Sequence, residues 1–302
     1  MASGRARLDG RALGAPVQIL VTGANSITGH AVIRHLVACG AGVTGLIPDA
    51  ATRGAIAGLG ATPFAGDMRD VEAVRQAMAG CERVYHICPA GTPGEVEIGE
   101  AVIAAAQESH IALFGYHSVI APHIEEIPAH WAKMRVQMAL MRAGLPFSVV
   151  QPALTMADLV LDPVAIRGAG ELALPFATDT PLPWVDIEDV GAAVAALMTK
   201  PGQQGGTCEL CGTGQPLTPR DMAMHMTAAF GVAVEASACS FDAFVDRLPR
   251  DGIDAGQAAS FRALADYLGR YGLRAGNPNV LTLLLGRQPT TFEQFLTRPA
   301  QA

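Results

Sequence analysis

The 302-residue chain is poor in charge. Asp, Glu, Lys and Arg make up 16 % of it, against about 25 % in ordinary soluble domains. Half of the residues are hydrophobic, which argues for a sizeable core and against disorder as the overall state. Positive charge is the scarcer sign. Lys and Arg number 21 against 28 Asp and Glu, a formal net charge of −7. That balance argues against nucleic acid or an anionic membrane as the main partner and leaves room for a small apolar molecule. No apolar run reaches the ~18 residues of a membrane span. Residues 1–16 hold Arg5, Arg7 and Arg11 beside Asp9 and lack an apolar stretch, so they read as a disordered leader and not as a secretory signal. The six cysteines (Cys39, Cys81, Cys88, Cys208, Cys211 and Cys239) are scattered, which predicts free thiols in a reducing compartment, the cytoplasm. Cys208 and Cys211 form a lone C-x-x-C with no second pair and no histidine at ligand spacing. A strand over 207–210 followed by Gly212 is the better reading, and no metal is assigned.

Against these absences stands a regular alternation. Short apolar runs at 17–21, 43–47, 62–65, 83–88, 111–116 and 147–151 read as buried strands. Between them, helical spacing appears at 27–39, 50–59, 71–78, 97–108 and 129–143. Strand and helix in turn predict right-handed βαβ units, hence an α/β fold with a doubly wound parallel sheet covered on both faces. After Pro152 the pattern loosens, with amphipathic helices near 186–199, 218–230, 241–248 and 255–271. Residues 17–153 are read as the core, and 154–302 as a small substrate-binding cap interleaved with it.

The first strand runs into Thr22-Gly23-Ala24-Asn25-Ser26-Ile27-Thr28-Gly29, which opens a helix. A loop of this kind brings backbone and helix N–H groups to a pyrophosphate. Gly23 makes the turn, Gly29 lets helix and strand pack closely, and Ser26 either donates to phosphate or caps the helix. Asn25, Ile27 and Thr28 complete the contact surface, and the context of strand, loop and helix supports dinucleotide binding. Asp49 lies twenty residues beyond Gly29, where an acid meets the adenosine ribose, although capping of the next helix explains it equally well. Arg53 is the nearest guanidinium for a 2′-phosphate, and NAD and NADP are left as even alternatives. Asp67 and Met68 are candidates for the adenine edge. Cys88, Pro89 and, at the end of the sixth strand, Pro152 are candidates for the nicotinamide side.

The chain resembles the NmrA-like branch of the atypical short-chain dehydrogenases/reductases. The matching stretches are Ile19–Gly29 (ILVTGANSITG), Gly66–Asp70 (GDMRD), Val84–Pro89 (VYHICP), Tyr116–Val119 (YHSV) and Pro122–Lys133 (PHIEEIPAHWAK). They continue with Gly144–Pro152 (GLPFSVVQP), Trp184–Val190 (WVDIEDV) and Leu285–Phe295 (LGRQPTTFEQF). The resemblance implies one Rossmann-type domain with a small substrate-binding part, and NAD(P) binding. It implies one of two activities: reduction of quinones, dyes or other conjugated compounds, or redox-sensing regulation without turnover. Short-chain reductases generally pair a Tyr with a Lys four residues later on one helix. Lys133 matches the Lys as a ligand of the nicotinamide ribose, but Ala129 stands in the tyrosine's place. The general acid must then come from elsewhere. His130 shares a helix face with Lys133 and is a candidate proton donor, with a capping role as the plainer alternative. Ser118 is a candidate substrate ligand, and Tyr116, on the same strand face, or solvent is the remaining acid. The sequence thus predicts a hydride-transferring reductase of a conjugated, largely apolar acceptor, monomeric or homodimeric.

Overall fold

The apolar segment Gln18–Val21 (β1) is buried almost throughout, and Ser26 caps the helix that follows it, Ile27–Ala38 (α1). The computed structural model describes residues 16–159, 163–202, 205–212, 214–247, 255–274 and 276–298. The predicted leader thus lies outside the described residues except for Pro16. The chain continues through Gly42–Ile47 (β2), Arg53–Gly58 (α2), Thr62–Ala65 (β3), Val71–Met78 (α3) and Arg83–His86 (β4). Then come Glu95–Glu108 (α4), Leu113–His117 (β5), Pro128–Arg142 (α5) and Phe147–Pro152 (β6). The helix predicted over 50–59 is split by a single 3₁₀ turn, Ala50–Thr52, capped by Asp49. The fourth strand stops at His86, two residues short of the predicted end, and α4 starts two residues early.

Beyond Pro152 lie Leu154–Thr155 (β7), Met156–Leu159 (α6), Pro163–Ala169 (α7), Glu171–Leu174 (β8), Trp184–Val185 (β9) and Ile187–Thr199 (α8). Thr207–Leu210 (β10), Pro219–Phe230 (α9), Glu235–Ala238 (β11), Phe241–Val245 (α10), Ala255–Tyr271 (α11), Asn279–Leu285 (α12) and Phe292–Thr297 (α13) complete the order. The helices α12 and α13 were not read from the sequence. Two elements of this half return to the main sheet: β10 pairs with β6, and α8 packs along α1. The C-x-x-C segment is therefore the strand it was read to be.

Seven parallel strands form the main sheet in the order β10-β6-β5-β4-β1-β2-β3. One apolar layer lies under α1 and α8, the other under α3, α4 and α5. The fold is a Rossmann-type doubly wound sheet. Its order reverses between β1 and β4, so the connections leaving those two strands diverge and open a crevice at their carboxyl ends.

Two stretches that carry the family resemblance meet at the start of α8. Asp186 and Asp189, at the start of α8, have fully buried side chains. Asp186 pairs with Arg298. Asp189 accepts from Arg287 at 2.6 Å and from the Thr290 amide at 2.5 Å. These residues fasten the C-terminal helices to the sheet.

Candidate active site

The crevice starts at the glycine loop. Gly23 has φ +59°, the left-handed region that glycine favours. A side chain there would meet the Ile87 carbonyl at 2.7 Å, and one at Gly29 would meet the Gly23 carbonyl at 2.4 Å. Both glycines are required by contacts within the protein itself. A Gly23→Val change therefore damages the turn as well as any ligand contact. The Ser26 hydroxyl accepts from the Gly29 amide at 2.9 Å and donates to the Gly23 carbonyl at 2.7 Å. Of the two roles open to it, it performs the capping one. The cap leaves the first-turn amides of Ile27 and Thr28 available to an anion. Ile27 is 62 % exposed and Asn25 is exposed beside it, a rim for a ligand lying across the helix start.

Thr22 ties β1 to β4. Its hydroxyl accepts from the Ile87 amide at 2.9 Å and lies 2.8 Å from His86 Nδ1. Burial, then the positive charge of Lys133, lower the His86 pKa to about 3, so the ring is neutral. It stacks on Tyr116 at 5.9 Å between centroids, and its Nε2 is buried without a partner among the described residues.

Lys133 reaches this floor from α5 and is 1 % exposed. Its Nζ donates to the Cys88 carbonyl at 2.5 Å and pairs with Glu95 Oε1 at 2.6 Å. Cys88 and Pro89 follow the end of β4, so the ammonium is buried just beyond the carboxyl end of that strand. Glu95 escaped the sequence reading. It looked like an ordinary acid near a helix start, and nothing local links it to a lysine 38 residues on.

The other predicted groups separate into those near Lys133 and those spent elsewhere. Ser118 follows β5, fully buried; its amide donates to Val150 and its hydroxyl has no partner among the described residues. His130 donates Nδ1–H to the Ala121 carbonyl at 3.1 Å, and burial lowers its pKa. A neutral ring with its proton on Nδ1 has none on Nε2 to give, which corrects the reading of His130 as proton donor. It holds Ala121 instead, a non-glycine residue at φ +49°. Tyr116 is fully buried in the layer under α4 and α5, and its hydroxyl donates to the Lys133 carbonyl at 3.4 Å. Burial raises its pKa well above the ordinary value, so the phenol keeps its proton inside that packed layer. His117, on the opposite face, bonds the Tyr85 hydroxyl at 2.8 Å.

At the adenosine end, Asp49 accepts from the Ala51 amide at 2.9 Å, so capping describes its carboxylate as it stands. Arg53 is exposed at the start of α2. Asp67 accepts from the Arg69 amide and pairs with its side chain at 3.4 Å; Met68 beside it is half-buried. Pro152 is buried at the end of β6, and its carbonyl accepts from the Ile120 amide, so it supports the loop carrying Ser118. A separate open groove of about 430 Å³ lies between α9 and β11, with Arg220, Met224 and Glu235 on its walls. It contains none of the predicted site residues.

Among known proteins, the chain is similar to an NAD(P)H azoreductase of Xenophilus azovorans, 26 % identical over 286 residues that span 94 % of this chain and 98 % of that protein. Its fold superposes on the NADPH-dependent quinone oxidoreductase of Escherichia coli complexed with NADPH with a TM-score of 0.78 at 21 % identity, covering 92 % and 98 % of the two chains. It also superposes on NmrA, a negative transcriptional regulator, in complex with NADP, with a TM-score of 0.76 at 20 % identity, covering 93 % and 94 %. The model of the NmrA-like family matches residues 17–296, and the chain, with its doubly wound sheet, glycine loop and buried lysine, belongs to that family.

Proposed function

We propose that the protein is an NAD(P)H-dependent reductase that passes hydride to a conjugated, largely apolar acceptor such as a quinone, an azo compound or an enone. The observation that carries this reading is the ammonium of Lys133 at the Cys88 carbonyl, beside the crevice, with no tyrosine hydroxyl available as acid. The azoreductase and quinone oxidoreductase among its relatives support it.

The residues fit a dinucleotide. The amides of Ile27 and Thr28 would hold its pyrophosphate. Asp49, Arg53, Asp67 and Met68 would border the adenosine, and Pro89 with Cys88 the nicotinamide. The reduced cofactor supplies the hydride. Lys133 holds the ribose and presents a positive charge toward the electrons arriving on the acceptor, a contribution preorganised by its two anchors. Ser118, buried and unpartnered, hydrogen-bonds the acceptor heteroatom. A quinone or azo group delocalises the incoming charge and takes its proton from water afterwards, so the site needs no acid of its own. Residues 17–153 carry the cofactor and 154–302 the acceptor wall. There α11 closes on the loop after β4, so that a side chain at Gly91 would touch the Ser260 hydroxyl at 2.6 Å. No described helix is long and apolar enough to cross a membrane, and the scattered thiols suit a reducing cytoplasm. The partner is a small molecule and not nucleic acid, and the chain acts as a monomer or homodimer.

The test is to mix the purified protein with NADH or NADPH and a panel of quinones, azo dyes, enones and plain ketones, and follow the absorbance of the reduced cofactor. Oxidation with the conjugated members supports the reading. Tight cofactor binding by calorimetry with no acceptor-dependent oxidation would instead favour the regulatory role of the NmrA type.

A further inference from the structure

Lys133 is one half of a buried ion pair, and the other half belongs to no local motif. Glu95 opens α4, with its side chain only 2 % exposed. It sits where the helix dipole favours a carboxylate. On balance burial pushes its carboxyl above the ordinary value, with the charge of Lys133 pulling the other way. The pairing depends on how closely α4 and α5 approach. One turn beyond Glu95, a side chain at Gly99 would meet Val136 at 2.6 Å, so glycine alone permits this separation. Val136 is in turn one turn beyond Lys133. The two helices are therefore held together next to the pair.

An ammonium has three N–H donors. Among the described residues, one goes to the Cys88 carbonyl, and Glu95 Oε1 lies 2.6 Å from Nζ as its buried counter-ion. We propose that Glu95 is a positioning residue for Lys133: its carboxylate is the counter-ion of the buried ammonium and holds Nζ at the Cys88 carbonyl, in position for the cofactor ribose. This rests on the reading that Lys133 serves the cofactor.

The titratable groups around Lys133 are Glu95 on α4, His86 and Cys88 on the β4 side, Tyr116 on β5 and His130 on α5, with His117 on the opposite face of β5. Burial lowers the pKa of the three histidines and raises those of the thiol and the phenol. The histidines, the thiol and the phenol therefore keep their protonation states in mildly alkaline solution.

The experiment compares wild type, Glu95→Gln, Glu95→Asp, Lys133→Met and the Glu95→Gln/Lys133→Met double variant. NADH and NADPH affinity by calorimetry and kcat with a quinone are measured from pH 6 to 9.5. Misplacing a positioned group costs about 10- to 100-fold, so Glu95→Gln should lose that much in kcat and weaken cofactor binding. It should also lose both progressively as pH rises, because a buried ammonium without its counter-ion sheds its proton. Glu95→Asp should restore most of the rate and flatten the profile. A folded Glu95→Gln with wild-type kinetics and a wild-type pH profile overturns the proposal, even if its melting temperature falls. Where Glu95→Gln does not fold, the double variant decides, since removing the ammonium removes the stranded charge. Affinity equal to that of Lys133→Met alone supports action through Lys133, and a further loss overturns it. Wild-type behaviour of Lys133→Met overturns the role of Lys133 itself, an outcome distinct from the failure of Glu95 alone.

Discussion

At the scale of single residues, the floor of the site is built from polar groups that lost their water on folding. His86 and His117 are both held neutral, with pKa values lowered by burial and by Lys133 to about 3. In the unfolded chain they titrate near 6.5, so between those values the unfolded state binds more protons. Their contribution to stability is fully present above about pH 6.5 and declines as pH falls toward 3, by up to about 1.4 kcal/mol per pH unit for each ring. The melting temperature should therefore drop between pH 7 and pH 5, and a His86→Asn variant should show a shallower drop. An identical slope in the variant would mean that His86 is charged or solvated in the folded protein. His130 invites a second test. Because it holds Ala121 in a left-handed turn and has no proton on Nε2, His130→Ala should slow quinone and plain-ketone reduction by the same factor. A loss confined to ketones would restore it as a proton donor.

At the scale of elements, the family stretches at 184–190 and 285–295 meet in a clasp. The carboxylate of Asp189 satisfies a buried backbone amide and a guanidinium at once. Asp189→Asn keeps the volume but turns one acceptor into a donor facing a donor. A buried group left unsatisfied in this way costs about 1–3 kcal/mol, so the urea midpoint should fall with an unchanged m-value. An unaltered midpoint would show that water replaces the lost bond. Local signals were easier to read, because a cap acts on amides two or three positions away: capping is one of the two roles the sequence allows Ser26 before α1, and the structure shows it. The clasp was opaque for the converse reason: Asp189 and Arg287 are 98 residues apart, and no periodicity relates them.

At the scale of the whole molecule, the sheet sets β5, β4 and β1 side by side, and in the proposed function one lysine just beyond β4 serves cofactor and acceptor at once. Lys133→Met should lose about 10²–10³ in turnover of every acceptor, the ~2–4 kcal/mol typical of a preorganised charge, and should bind cofactor more weakly by calorimetry. Full activity would place the chemistry elsewhere. The sequence by itself determined the alternation of strand and helix, the glycine loop and the position of Lys133, because each is written in neighbours a few residues apart. It also determined that Ala129 cannot donate a proton. Only the tertiary structure decided that the Ser26 hydroxyl is consumed by its own helix and that Tyr116 turns into the packed layer under α4 and α5. It alone decided that β10 returns to complete the sheet and that Glu95 meets Lys133. Those outcomes depend on how closely separate elements approach: α4 and α5 touch at Gly99, where a β-carbon would meet Val136 at 2.6 Å.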